Sequence, residues 1–183
     1  RLMPLTMTEH IVAGLLLLAR LGDIGSTYLA TPNLLLESNP VARKLRWPFA
    51  FMTLGVAVLP YYMLEAGIVV LTASLLVTAS NFGKVWVIRT LGEQAYYDFV
   101  SQMAARSRPI EPLLFTTLSA LALALIGGLL IMFYPTENEI AYWIGYGFVI
   151  YALVAVTWGI HGYWRMRRNG LRRQQAAVAT PET

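Results

Sequence analysis

The sequence predicts an all-α protein: a polytopic transmembrane bundle of about five spans, with its N-terminus outside and its C-terminus in the cytoplasm. Three observations carry that prediction. Residues of the AVILMFWYC class make up 57% of the 183 residues and charged residues 13%. A soluble domain carries about 25% charged residues, so this chain has too few to coat a water-facing surface. Two long segments, 113–134 and 140–160, contain no charge at all, and a spanning helix needs about 20 mostly apolar residues. Finally, the basic residues fall into segments that all land on one side if there are five spans, as the positive-inside rule requires.

The spans are expected at about 8–30, 47–64, 66–88, 112–134 and 140–164. The first holds Arg20 and Asp23, yet 11–19 is uniformly apolar and 25–30 is again uncharged. It reads as a span and not as a secretory signal, because it lacks a basic n-region and Arg20 interrupts it. The second and third runs are separated by Glu65 alone. Pro60, the Tyr61-Tyr62 pair and Gly67 predict a tight hairpin there, with the aromatic pair at the membrane surface. The second run is short, which puts Trp47 near the opposite interface. The fourth is bracketed by Pro112 and Pro135, and the turn after it carries Glu137 and Glu139 with no basic residue.

The segments between and after these spans set the orientation. Arg43, Lys44 and Arg46 follow the first span, and Lys84, Arg89, Arg106 and Arg108 follow the third. Arg165, Arg167, Arg168, Arg172 and Arg173 close the chain. That last block reads as a cytoplasmic anchor facing anionic lipid, and no nucleic-acid partner is expected. Leu91, Ala95, Phe99 and Met103 alternate with Glu93, Gln94, Asp98 and Gln102, which predicts an amphipathic helix on the cytoplasmic interface or continuing the third span. The chain therefore reads as one transmembrane domain, 1–168, with a polar tail, 169–183, expected to be disordered. Small residues at four-residue spacing (Gly22, Ser26 and Ala30; Ala120, Ala124 and Gly128) mark expected helix contacts. The expected location is the inner (cytoplasmic) membrane, with the lipid bilayer as partner and a homo-oligomer or a larger membrane complex as further options.

Composition also removes chemistry. With no cysteine, thiolate catalysis, disulfides and Cys-ligated metals are excluded. The HExxH, GxSxG and P-loop signatures are absent.

One polar cluster stands out. Arg20, Asp23 and Thr27 share a face of the first helix, since three- and four-residue steps return to the same side. An unpaired charge inside a span costs at least about 2.5–3.5 kcal/mol, so these residues are expected to pair and to avoid lipid. Thr31-Pro32-Asn33 is a turn signal. Leu34-Leu35-Leu36 then predicts a segment that dips back toward the membrane or lies on it, bringing Glu37 toward Asp23. Asn39 before Pro40 predicts an extended residue that caps a short helix with proline in its first turn. Ser74, Thr78 and Asn81, with Lys84 at the edge, form a facing stripe on the third span. His10 and His161 lie at opposite ends of the bundle and cannot share a metal, which leaves His161 to join Asp23 and Glu37 as the metal-ligand option.

Asp23-x-x-x-Thr27 followed by Glu37-x-Asn39-Pro40 resembles the pattern of the DUF5658 type, small uncharacterised prokaryotic multi-pass membrane proteins. The likeness covers about 20 residues, and a lysine in a later span of that family corresponds to Lys84. The resemblance implies site residues and no activity. From the residues themselves, Arg20, Asp23, Thr27, Glu37, Asn39, Asn81 and Lys84 are the expected ligand or ion site. Three functions compete: a cation- or proton-linked binding or transport site, in which a bound cation is the only cofactor suggested; a membrane-embedded enzyme, metal-dependent or not, acting on lipid or peptide; and a non-catalytic subunit whose cluster is structural.

Overall fold

The computed structural model describes residues 6–136 and 140–179, with side chains to 176. The described residues form helices and turns: α1 (Met7–Ala30), α2 (Pro40–Met52), a 3₁₀ stretch (Thr53–Tyr61), α3 (Leu64–Leu91), α4 (Glu93–Arg106), α5 (Ile110–Phe133) and α6 (Ile140–Ala179). Among them α1, α3, α5 and α6 are long and apolar enough to cross a membrane. The acidic turn with Glu137 and Glu139 lies outside the described residues.

Small residues decide how closely these helices pack. On α1, Gly22 meets the Thr78 side chain of α3, and Ser26 and Ala30 are buried, so the expected stripe is the contact face. On α5 the expected stripe is not. Gly128 is exposed and faces open space; the close approach is made one position earlier, where a Cβ on Gly127 would strike the Gly145 carbonyl oxygen of α6, and the reverse. The α5 face therefore runs through Ala120 and Gly127, two turns apart. Gly147 of α6 similarly abuts Thr72 of α3. The outer faces are apolar: Phe115, Leu125 and Phe133 on α5 are 66%, 63% and 69% exposed.

The chain between α1 and α3 is not one regular helix. Pro48 cannot donate to the Lys44 carbonyl and its ring crowds that turn; α2 accordingly breaks at Arg46, whose φ is 57° and ψ is −149°. At Thr53, whose hydroxyl donates to the Ala50 carbonyl at 2.6 Å, α geometry gives way to 3₁₀. The run 47–61 lies antiparallel beside α1 and is fixed to it at three levels. Trp47 Nε1 donates to the Pro32 carbonyl at 3.1 Å, and its ring stacks edge-on against Tyr28. Arg20 donates to the Thr53 hydroxyl in the middle. Tyr61 OH and His10 Nδ1 share a hydrogen bond of 3.1 Å at the far end. Tyr62 and Met63 then donate to the Leu59 carbonyl, and Gly67 packs on the Pro60 ring. This is the expected hairpin, tightened by a contact that tolerates no Cβ.

The loop after α1, α4 and the end of α6 gather at one end of the bundle. Gly92 separates α3 from α4 with φ at 84° and ψ at 149°, a region open essentially to glycine. The amphipathic segment is therefore a separate helix rather than a continuation of α3. Arg167 of α6 donates to the Ala104 and Ser107 carbonyls, 2.9 and 2.7 Å, closing the C-terminus of α4. Arg173 pairs with Asp98, and Gly170 seats against Ser101 of α4. These contacts explain why the segment expected to be a disordered tail continues α6 as helix to Ala179.

Candidate functional site

A cavity of about 650 Å³ opens at this end of the bundle. Arg20, Asp23, Thr27, Glu37, Asn39, Asn81 and Lys84 all line it, so the structure brings together every residue expected in the ligand site. They come from different elements: α1 supplies the first three, the loop after it supplies Glu37 and Asn39, and α3 supplies Asn81 and Lys84. Aromatic side chains complete the wall, Trp47 from α2, Tyr96 from α4, and Tyr151 and Trp158 from α6.

The deep end is the Arg20–Asp23 pair, with Nη1 2.7 Å from Oδ2. Arg20 also reaches Ser74 of α3 at 3.4 Å and Thr53 of the 3₁₀ stretch. One guanidinium thus ties three elements together, which offsets its placement within the helix. The pair is not sealed: the two side chains keep 17% and 15% of their exposure, so the expected buried cluster is a lining of the cavity wall. Asp23 uses one carboxylate oxygen on Arg20, and its other oxygen has no partner among the described residues. On α3, Asn81 donates to Ser26 and Thr27 at 3.3 and 3.1 Å, and Thr78 reaches the Ala19 carbonyl at 3.5 Å. The facing stripe read from the sequence is the α1–α3 seam.

The rim is the loop. Asn39 caps α2, its side chain accepting from the Val41 and Ala42 amides, with Pro40 at the first helical position as expected. Glu37 accepts a hydrogen bond from the Asn39 amide at 2.7 Å. Burial, aided by the negative charge of Asp23, pushes its carboxyl above the ordinary glutamate value; the Asn39 and Ser38 amides and the charge of Arg165 only partly oppose that. Lys84 is exposed at the edge and makes no hydrogen bond or ion pair among the described residues.

The metal option fails. Among the described residues no three His, Asp or Glu side chains are grouped to hold an ion. His161 does not line the cavity; its ring lies edge-on to Trp158 at 6.2 Å, so Asp23 and Glu37 stand without it.

Glu93 was read only as a polar position of an amphipathic helix. In the structure it holds the loop. Its carboxylate accepts from the Thr31 hydroxyl, from the Asn33 amide and side chain at 3.0 and 2.9 Å, and from the Leu35 amide at 2.9 Å. Burial raises its carboxyl, but these bonds to the charged form outweigh it, and the net shift is below the ordinary value. No spacing rule links Glu93 to residues some sixty positions earlier, so local pattern carried no signal for it.

No protein-family model, curated protein or solved structure matches this chain. The site is accordingly read from its own geometry.

Proposed function

We propose that the chain is a membrane protein of five crossings whose cavity binds a small organic solute carrying a cationic amine. The observation that carries the reading is the cavity itself. Organic-ligand sites typically measure about 300–1,000 Å³ and combine apolar walls with a few polar groups. A bare metal ion instead needs oxygens closed around it at about 2–2.6 Å. Asp23 keeps an oxygen without a protein partner among the described residues, and Glu37 meets only the neighbouring Asn39 and Ser38 amides. The aromatic wall offers π-faces that attract cations. Lys84, unpaired at the rim, suits a second, anionic group on the same solute. The Glu37 carboxyl lies above its ordinary value; its protonation would release the amine, which makes binding proton-linked.

The fifth crossing is 47–61. Six residues in α geometry and nine in 3₁₀ geometry reach about 27 Å, at about 1.5 and 2.0 Å per residue. A bilayer core is about 30 Å. Pinning of this run to both ends of α1 supports a full crossing, and the count of five then puts the basic loop, α4 and the arginine-rich end of α6 together in the cytoplasm. Kinship with the DUF5658 type belongs to the same proposal: Asp23, Thr27, Glu37, Asn39 and Lys84, which carry that resemblance, all line the cavity.

The test is thermal unfolding of the purified chain in neutral detergent with a panel of probes: choline, ethanolamine, glycine, lysine and putrescine, against sodium and potassium chloride at equal ionic strength. An amine probe should stabilise the wild type at pH 8 and lose most of that effect as pH falls through the raised Glu37 value and in Glu37→Gln. Stabilisation by sodium or potassium alone, or by no amine, would sink the reading.

A further inference from the structure

A second cavity, about 490 Å³, adjoins the first on its loop side. Its charged lining is arginine only: Arg43 and Arg46 from α2, and Arg165 and Arg173 from α6. No acidic side chain lines it. Asp98 pairs with Arg173 at the margin, and Glu37 attracts Arg165 from the neighbouring cavity, which leaves the middle of the cluster positive. Arg43 and Arg165 are close enough to repel, and neither is fully satisfied. Arg43 Nη1 and Arg165 Nε are buried nitrogens with no hydrogen-bond partner; the Arg43 side chain makes no hydrogen bond among the described residues, and Arg165 makes one, from Nη2 to the Leu35 carbonyl at 3.1 Å. A buried donor left unpaired destabilises a fold, more so when it is charged. A fold that gathers like charges and leaves a buried donor unpaired on each of two of them is complementary to an anion.

We infer that this cavity is a binding site for a phosphoryl group, held between Arg43 and Arg165. A guanidinium presents a rigid fork of donors that matches a phosphate oxygen pair, and two forks at one point neutralise a dianion. Tyr97 on the same wall accepts from Asn169 and keeps its O–H as a neutral donor. Two sources share this chemistry. One is the headgroup of an anionic lipid, which suits arginines at the end of a membrane bundle. The other is a soluble phosphate ester. The inference does not depend on what fills the neighbouring cavity.

The experiment uses the full chain purified in a neutral detergent. Thermal unfolding is followed in inorganic phosphate and in glycerol phosphate, each against sodium chloride of equal ionic strength. It is followed again after transfer to nanodiscs of phosphatidylcholine with or without phosphatidic acid. Stabilisation by the soluble phosphates, by phosphatidic acid, or by both supports the site, and the pattern names the source. In Arg43→Gln and Arg165→Gln the apparent affinity should fall at least ten-fold, while Arg106→Gln, on the exposed face of α4, should leave it unchanged. Arg43→Gln provides an internal check: it relieves repulsion and loses no hydrogen bond, so without phosphate it should be as stable as the wild type or more so. No stabilisation by either source, or equal stabilisation of wild type and both arginine variants, would overturn the inference. So would an Arg43→Gln chain that is less stable than wild type without phosphate, since the side chain would then be a structural element.

Discussion

Glu93 and Glu37 stand at the same end of the bundle, one gripping the loop after α1 from the start of α4 and the other within that loop, and have opposite characters. Glu93 accepts four hydrogen bonds from the loop, and its carboxyl is held below the ordinary value. Glu37 meets only the Asn39 and Ser38 amides beside it in sequence and is held above that value. A saturated carboxylate has nothing left to offer a ligand and serves the fold. An undersaturated one next to a second acid and a cavity costs the fold something, and that cost is the mark of a site. The contrast separates an acid committed to the fold from one left available at a cavity, where sequence treats them alike.

The largest effect should come from Arg20→Ala. It strips Asp23 of its counter-charge and unties α1 from Thr53 and Ser74; a partly buried pair broken on one side costs up to about 3–5 kcal/mol. Thermal unfolding in detergent measures it, and Arg20→Lys should recover only part of the loss. Glu93→Ala should come next, at about 1–3 kcal/mol for charged hydrogen bonds lost at a partly exposed site. Limited proteolysis should then cut within 31–39, a segment resistant in the wild type. Gly92→Ala follows at about 1–3 kcal/mol, since its backbone conformation disfavours any side chain. Glu37→Gln should cost the fold nothing near neutral pH.

The two glutamates also predict opposite pH dependences. For Glu93, stability is fully present above 4.5, the ordinary glutamate value, and is lost as pH falls through its lowered folded value. For Glu37, whose folded value is raised above 4.5, stability is present below 4.5 and is lost as pH rises through that raised value. Melting temperatures from pH 3 to 8 should show Glu93→Gln flattening the acid limb and Glu37→Gln flattening the decline on the other side of 4.5. If both variants flatten the same limb, the distinction between the two acids fails.

Much of this was legible from spacing. The α1 stripe Gly22–Ser26–Ala30, the facing α3 stripe and the Asn39-Pro40 cap are local patterns with a fixed helical geometry, and each predicts the observed contact. The α5 face was misjudged by one position because Ala124 and Gly128 satisfy the same spacing rule, and only the approach of Gly145 selects Gly127. The 3₁₀ stretch was invisible as such, since Thr53–Tyr61 is apolar enough for any buried geometry. Glu93, Trp158 and the arginine cavity depend on contacts between distant elements, which no periodicity encodes. His161 was offered to the site because it lies near the right end of α6, but sequence gives its level along the helix and not its facing.

The most direct test of the central distinction is equilibrium binding of the amine probe that stabilises the wild type, measured at pH 8 and at a temperature where every variant is folded. Glu37→Gln should weaken binding at least ten-fold with the melting temperature unchanged or raised, and Glu93→Gln should lower the melting temperature with the affinity unchanged. The opposite pattern, with Glu37→Gln binding like the wild type and Glu93→Gln losing the probe, would contradict the account.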